Sequence, residues 1–243
     1  ICLLKACGNK GAIDKGKEVH NEIVYRRLLN KDIMLANALV DMYAKCGYLA
    51  KAEKVLNDLP FRDVVSWNAL IAGYALQGHG HEALTSFEKM QREGLFPNKL
   101  TCLSVLNACS HSGLLEEAQK IFEDMNKKYG ISPNIEHQIC MVITYGNAGH
   151  FDKAMSVIKL LPLSDTLGAW LSLLCACRKW GNVEVAKVAF AQAVELDSNC
   201  GAAYVLMANV FAAVSMQAAA ENVEIMRMKY VSKRENGNSS MWF

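Results

Sequence analysis

The sequence predicts an all-α fold built from a row of similar helical hairpins, and three observations predict it. Apolar residues recur at helical spacing in run after run, whereas alternating, strand-like runs are scarce. Prolines number only four in 243 residues, too few to break up extended helical structure. A small turn residue recurs as Gly11, Gly47, Gly78, Gly113, Gly149 and Gly181, with Ser215 in the seventh place, at separations of 36, 31, 35, 36, 32 and 34. A period in this range marks stacked supersecondary units, because one hairpin cannot bury its apolar faces alone. The expected architecture is a right-handed α-solenoid of helix–turn–helix hairpins.

The stretch 64–98, VVSWNALIAGYALQGHGHEALTSFEKMQREGLFPN, defines the unit. It reads as two short amphipathic helices. Leu70, Ile71 and Tyr74 form an apolar stripe on the first, and Ala83, Leu84, Phe87 and Met90 form one on the second. Gly78 and Gly80 break the chain between them, and Gly94 and Pro97 close the unit. Five residues after each turn residue stands a small one: Gly16, Ala52, Ala83, Ala118, Ala154, Ala186 and Ala220. A small side chain there lets the second helix pack closely against the first. The units run over residues 1–32, 33–63, 64–98, 99–134, 135–166, 167–200 and 201–234, followed by a polar and then aromatic tail, 235–243. The chain begins inside a helical pattern (ICLLKAC), as a piece of a longer protein would, so targeting is not legible from it.

Bulk properties exclude several classes. At 52% hydrophobic and 21% charged, the chain has enough apolar residues for a sizeable core. A net charge of +2 argues against a partner held by phosphate attraction alone, but not against one whose bases are read. No run of 18 apolar residues occurs, so no membrane span is expected. The nine cysteines are odd in number and sit mostly inside apolar helical patterns, which reads as reduced core residues rather than a disulfide framework.

No catalytic constellation is found, and neither metal nor cofactor is expected. His20-Asn21-Glu22 has the H-x-E order of zinc deaminases, but no P-C-x-x-C follows. Cys175 and Cys177 lie on different sides of one helix. His79 and His81 flank a turn with no carboxylate or thiol set around them. Asn238-Ser239-Ser240 fits a glycosylation acceptor without any sign of secretion. Arg26-Arg27, Lys127-Lys128, Arg178-Lys179 and the group Lys229, Lys233 and Arg234 read first as solubilising charge, with some able to meet phosphates.

Four segments carry a family resemblance: NALVDMYAKCG (37–47), VVSWNALIAGYALQGHGHEAL (64–84), VLNACSHSGLLEEA (105–118) and IEHQICMV (135–142). With unit lengths near 31, 35 and 36, they resemble plant pentatricopeptide-repeat proteins whose repeats alternate among P, L and S types. By that resemblance 1–32 is a truncated L-type repeat, 33–63 S-type, 64–98 P-type, 99–134 L-type and 135–166 S-type. AWLSLLCACRKWGNVEVA (169–186) and YVLMANVFAAV (204–214) resemble the two tetratricopeptide-like hairpins of the E domain, over 167–234. The resemblance implies sequence-specific binding of single-stranded organellar RNA, in mitochondrion or chloroplast. It further implies a role as specificity factor for cytidine-to-uridine editing. The deaminase would come from a partner bound through 167–234 or from a domain beyond this chain. In the tail, Asn236 and Asn238 replace the proline and cysteine of the family's EPGCSW motif.

In the family, the fifth residue of a repeat and its last residue face one base, and the second residue packs on base faces. Carried over, these are Asn37 and Asp63 with Met34, and Asn68 and Asn98 with Val65. An amide both donates and accepts, so it can meet either pyrimidine, and the second polar residue tips the choice. The family's pairing implies uracil for Asn37–Asp63, and cytosine before uracil for Asn68–Asn98. In its register these lie seven and six nucleotides before the edited cytidine. The corresponding Leu103 and Asn134, and Ile139 and Thr166, start from an apolar fifth residue and are expected to space or stack; Thr166 also replaces the usual Asp. The truncated first unit offers Cys2 and Asp32, which match no pairing. Without the resemblance, Asn37 and Asn68 read equally as polar residues on a wet helix face or bonded to a neighbouring repeat. Asp63 and Asn98 read as well as turn or cap residues as they do as base contacts, the two roles being compatible, and Tyr43, Trp67 and Tyr74 read as packing residues. Two alternatives stand beside RNA binding: a protein-binding tetratricopeptide-like scaffold, whose units would be uniform in length, and a hydrolase or deaminase, for which the metal ligands are missing.

Overall fold

The computed structural model describes residues 1–29 and 32–231. Among them are fourteen α-helices and one short 3-10 turn, and no residue lies in a β-strand. The helices are α1 (Cys2–Lys10), α2 (Ile13–Tyr25), α3 (Ile33–Lys45), α4 (Leu49–Asn57), α5 (Val64–Leu76), α6 (Gly80–Arg92), α7 (Lys99–Ser112) and α8 (Leu115–Lys127). They continue with α9 (Ile135–Asn147), α10 (Phe151–Ile158), α11 (Thr166–Trp180), α12 (Val183–Leu196), α13 (Gly201–Ala213) and α14 (Gln217–Val231). Two compact units form, Ile1–Pro133 with four hairpins and Asn134–Phe243 with three. The tail at 235–243, Lys233, Arg234 and the Asn238-Ser239-Ser240 triplet lie outside the described residues.

Within the first unit the leading helix of each hairpin packs on the leading helix of the next: α1 on α3, α3 on α5, α5 on α7. The second helices α2, α4 and α6 pack on their own partner and on the following leading helix. The second unit repeats this wiring, with α9 on α11, α11 on α13, and α10 and α12 bridging to the next hairpin. Its core joins Val142, Ile158, Leu173, Leu174, Tyr204 and Met207.

This wiring corrects one expectation. A leading helix is flanked on both sides and covered from behind, so it is buried nearly all round rather than along one stripe. α5 buries Ser66, Trp67, Asn68, Leu70, Ile71, Gly73, Tyr74 and Ala75. The second helix α6 keeps the amphipathic form and buries only Gly80, Ala83, Ser86, Phe87 and Met90. Burial of each large apolar side chain, such as Leu39, Leu70 or Leu106, contributes about 1.5–3 kcal/mol.

All seven turn residues adopt left-handed backbone, with φ from 61° at Gly181 to 80° at Gly47 and Gly149, and 61° at Ser215. Only glycine reaches that region without a Cβ penalty, which explains six of the seven choices. Gly80, expected to break the chain, is instead the first residue of α6. Its missing Cβ makes room: an added one would stand 2.4 Å from Ser112 Oγ on α7.

The small residues after the turns are buried, five alanines completely and Ala220 to 8% exposure. Gly16, however, lies close against the next hairpin. A Cβ there would meet Met42 Sδ on α3 at 2.5 Å. A second close approach joins leading helices directly, where a Cβ on Gly73 of α5 would stand 2.5 Å from the Ala44 Cβ of α3.

Candidate nucleic-acid interface

The junction between α3 and α5 begins with helix capping. Asp63 is the N-cap of α5: its Oδ1 accepts the Ser66 N–H at 2.8 Å, and the Asp63 N–H donates to Ser66 Oγ at 3.1 Å. Such reciprocal caps satisfy two backbone donors that the helix cannot, and each contributes about 1 kcal/mol. Stacking then brings Asn37 of α3 onto this cap. Its Nδ2 donates to Asp63 Oδ1 at 3.1 Å, and the Ser66 hydroxyl donates to its Oδ1 at 2.7 Å.

The α5–α7 junction repeats the arrangement with different end groups. Asn98 caps α7, its Oδ1 accepting the Thr101 N–H at 2.9 Å, and the Asn98 N–H donates to Thr101 Oγ at 3.1 Å. Asn68 Nδ2 donates to Asn98 Oδ1 at 3.3 Å, and the Thr101 hydroxyl donates to Asn68 Oδ1 at 2.6 Å. Asn37 and Asn68 are only 7% and 5% exposed, while Asp63 is half-buried and Asn98 exposed. Each asparagine amide thus has one donor and one acceptor position committed inside the protein and one of each uncommitted.

The caps differ in what they leave over. Asp63 Oδ1 carries the shorter internal bonds, and Oδ2, which accepts only the long 3.4 Å bond from Asn37 Nδ2, keeps acceptor capacity. Asn98 uses its oxygen internally, so its Nδ2 keeps two donor hydrogens. The first junction therefore ends in an acceptor and the second in a donor. Uracil offers a donor at N3 where cytosine offers an acceptor, so the two ends suit the two pyrimidines differently.

Apolar side chains stand beside these junctions. Met34 is 66% and Val65 57% exposed, although each sits on a leading helix that is mostly buried. Leu100, at the same place on α7, is 58% exposed and was not singled out from the sequence. Ser66 and Thr101 were missed as well. Their signal was present in the capping patterns Asp63-x-x-Ser66 and Asn98-x-x-Thr101, but what they touch on the preceding helix follows only from stacking.

The remaining predicted positions are arranged differently. Leu103 is half-buried on α7 in the first unit, and Asn134, exposed, caps α9 in the second through the His137 N–H at 3.2 Å. Ile139 is half-buried on α9. Thr166 does not occupy a cap: it is the first residue of α11, is buried, and its hydroxyl donates to the Leu163 carbonyl at 3.0 Å. A 3-10 turn at Leu163–Asp165 shifts the cap back to Asp165, whose side chain makes no cap bond. Asp32 caps α3 through the Leu35 N–H at 3.1 Å, and Cys2 is exposed on α1.

Tyr43, Trp67 and Tyr74 are buried, and their polar ends are all engaged. Tyr43 OH lies 2.8 Å from His20 Nδ1, Trp67 Nε1 donates to Glu93 at 2.9 Å, and Tyr74 OH donates to Glu53 at 3.2 Å. Burial would raise the Glu93 carboxyl, but hydrogen bonds from Arg62 and Trp67 and the Arg62 charge hold it below its ordinary range. His20 thus pairs with a tyrosine while Glu22 pairs with Arg26, so the H-x-E order assembles nothing. His79 does have a carboxylate near it, Glu82 at 3.5 Å, contrary to expectation. Among the described residues no three His, Cys, Asp or Glu side chains gather as a metal site. Cys175 is exposed and Cys177 buried, and burial pushes the Cys109, Cys140 and Cys177 thiols up to about 12. Arg26, just past the end of α2, pairs with Glu22, Lys127 pairs with Glu123 within α8, and Lys179 reaches the Asn147 carbonyl.

Hairpins of 31 to 36 residues whose leading helices carry a repeated polar junction define a helical-repeat protein. Family comparison makes this specific. Residues 35–64 match the PPR repeat, 62–111 the PPR repeat family, 87–147 the pentatricopeptide repeat domain and 180–238 the E motif. The chain belongs to the pentatricopeptide-repeat family and carries the E motif. Among its Arabidopsis thaliana relatives, pentatricopeptide repeat-containing protein At3g29230 is 39% identical over 88% of this chain and 35% of its own length. Pentatricopeptide repeat-containing protein CRR2, chloroplastic, is 39% identical over 89% of this chain and 33% of its own. The chain thus spans about a third of the length of these relatives. The crystal structure of PPR10 in complex with an 18-nt psaJ RNA element matches 95% of this chain and 34% of that one, with a TM-score of 0.72 at 16% identity. That of PPR10 from maize gives 0.51 at 22% identity, over 93% and 38%. At these identities the likeness establishes the fold, an α-solenoid of helical hairpins.

Proposed function

We propose that this chain binds single-stranded RNA sequence-specifically in a plant organelle, as the base-reading and recruiting part of a cytidine-to-uridine editing factor. One observation carries the reading: two successive junctions present an asparagine amide with one donor and one acceptor uncommitted, beside an Asx side chain that reaches solvent. Exposed Met34 and Val65 would pack on the faces of the bases so read. Asn37–Asp63 would favour uracil, through the acceptor left on Asp63. Asn68–Asn98 would favour cytosine, with uracil next, through the donor left on Asn98. The repeats over 1–166 hold the RNA, Leu103–Asn134 and Ile139–Thr166 acting as spacers. The E-domain hairpins over 167–234 would take up the deaminase or other editing proteins.

Support comes from the E motif, from a similarly folded protein crystallised with an 18-nt RNA, and from chloroplastic relatives. A protein-binding role has its own observation in the second unit, where the N-cap residues of α11 and α13, Asp165 and Cys200, make no side-chain cap bond, so the Asn–Asx junction does not recur. The test is a titration of the chain with short single-stranded RNAs varying the two predicted pyrimidines, repeated with Asn68→Ala. Tightest binding to the U-then-C probe, with preference at the second nucleotide lost in Asn68→Ala, is the expected result. Equal binding of all probes, or none at low salt, would overturn base reading and leave the scaffold role.

A further inference from the structure

The two junctions hold their asparagines by unequal means, and the difference assigns a role to a buried threonine. An asparagine amide has two ends of nearly the same shape but opposite hydrogen-bond character. Rotating it by half a turn exchanges donor for acceptor toward a base. A base-reading asparagine is therefore specific only if something fixes which end points where.

At Asn37 a carboxylate does so. Asp63 accepts only, so it holds the Nδ2 end at 3.1 Å, and a turned amide would set an oxygen against a negative charge. The Ser66 hydroxyl, at 2.7 Å from Oδ1, reinforces an orientation already dictated. At Asn68 the partner is the neutral Asn98 amide, and the bond to it is the longer one at 3.3 Å. The short bond there is from the Thr101 hydroxyl, at 2.6 Å from Asn68 Oδ1.

Thr101 has one hydroxyl hydrogen and two lone pairs, and its surroundings leave little freedom. The Asn98 N–H at 3.1 Å fills one lone pair, and the side chain is fully buried. The hydrogen has two acceptors in reach, Asn68 Oδ1 at 2.6 Å and Asn98 Oδ1 at 3.0 Å. Asn98 Oδ1 already receives the Thr101 N–H and the Asn68 amide, whereas Asn68 Oδ1 has Thr101 as its bond. The hydrogen therefore belongs to Asn68.

We propose that Thr101 is a specificity-determining residue of the second junction: its hydroxyl, supplied by the following hairpin, fixes the orientation of the Asn68 amide and hence the pyrimidine it selects. Ser66, in the equivalent place, is dispensable for specificity because Asp63 fixes Asn37 unaided. This rests on the reading of Asn68 as a base contact. Thr101 would touch no base and would act through Asn68, whose Oδ1 its hydroxyl holds, while its oxygen also accepts the Asn98 N–H at 3.1 Å.

The test measures affinity of the full 243-residue chain for single-stranded RNA probes carrying each of the four bases at the nucleotide assigned to Asn68. The same set is made for the nucleotide assigned to Asn37. Thr101→Val keeps the side-chain shape and removes the hydroxyl. It is expected to reduce base preference at the Asn68 nucleotide by about fivefold, the scale of one neutral hydrogen bond, or to erase a smaller one. Preference at the Asn37 nucleotide should be unchanged. Thr101→Ser should restore the parental preference, and Ser66→Ala should leave preference at the Asn37 nucleotide intact. Thermal melting of each variant fixes a temperature at which all are folded, so a loss of stability does not register as a loss of preference. A parent chain that prefers a base while Thr101→Val prefers it equally overturns this inference and leaves base reading standing. A Ser66→Ala chain that loses its preference overturns the asymmetry on which the inference rests. A parent chain indifferent to both nucleotides overturns base reading and this inference together.

Discussion

Substituting Gly73 by alanine sets two effects of similar size against each other, and the geometry decides between them. In a helix interior, alanine is favoured over glycine by up to about 1 kcal/mol, through reduced freedom of the unfolded chain and better helix propensity. Against this, the new Cβ would stand 2.5 Å from Ala44 Cβ, 3.2 Å from Ala44 Cα and 3.2 Å from Leu49 Cδ2. Apolar carbons rest about 3.5–4.0 Å apart, so the overlap with Ala44 is on the order of 1 Å. Leu49 can change rotamer, but Ala44 has no rotamer to change, and its Cα belongs to the backbone of α3. The helices α3 and α5 must move apart, and overpacking of this kind costs about 1–3 kcal/mol. With backbone as the wall, the cost lies in the upper part of that range. Gly73→Ala is therefore expected to destabilise by about 1–2 kcal/mol net. Gly168→Ala is the control, because that glycine is exposed in the first turn of α11 with nothing within 4 Å of an added Cβ. It should stabilise by up to about 1 kcal/mol. Urea unfolding followed by circular dichroism measures both. A Gly73→Ala chain as stable as the parent, beside a stabilised Gly168→Ala, would refute the claim that α3 and α5 are held rigidly at this contact.

Three further outcomes are expected. Asp63→Asn replaces the acceptor left at the first junction by a donor, so preference at the Asn37 nucleotide should move from uracil toward cytosine by about tenfold, or about 1.4 kcal/mol; a titration showing unchanged uracil preference contradicts the assignment. Ser215 holds φ at 61° where the six equivalent turns have glycine, so Ser215→Gly should stabilise the second unit by about 0.5–1 kcal/mol, read as a raised melting temperature. Glu93 has its carboxyl held low by Arg62 and Trp67 against the cost of burial, so its contribution is complete above the unfolded value of about 4.3. That contribution is lost as pH falls through the lower folded value, and the urea midpoint should fall less steeply there in Glu93→Gln than in the parent; equal acid responses would refute it.

How much of this was legible beforehand differs from residue to residue for physical reasons. The seven turns were legible because a left-handed turn leaves a local mark, a glycine that nothing else at that place explains, and the period then carried Ser215 with it. The buried alanines were legible through the same register, but not the surface they face. Gly16 lies against Met42 of the following hairpin, and a period cannot say which neighbour a small residue serves. The burial of α5 on nearly every side was hidden for a related cause, since a helix flanked by copies of itself loses the one-sided pattern by which amphipathic helices are recognised. Thr166 differs from the other repeat ends because a 3-10 turn at Leu163–Asp165 leads into α11 and the cap falls at Asp165, which a repeat length does not reveal. Asn37, Asp63, Asn68 and Asn98 could be named by resemblance, and their capping partners by the spacing of three. What no local pattern carries is that Ser66 and Thr101 have a second acceptor on the preceding leading helix, 29 and 33 residues back. The hydroxyl is committed twice, once to the start of its own helix and once to the preceding repeat's asparagine. On the proposed reading, capping chemistry and base selection share one atom. At these two junctions a change made to the capping hydroxyl therefore also reaches the asparagine of the repeat before it, and on the proposed reading the two effects separate only where, as at Asp63, a charge fixes the amide independently of the hydroxyl.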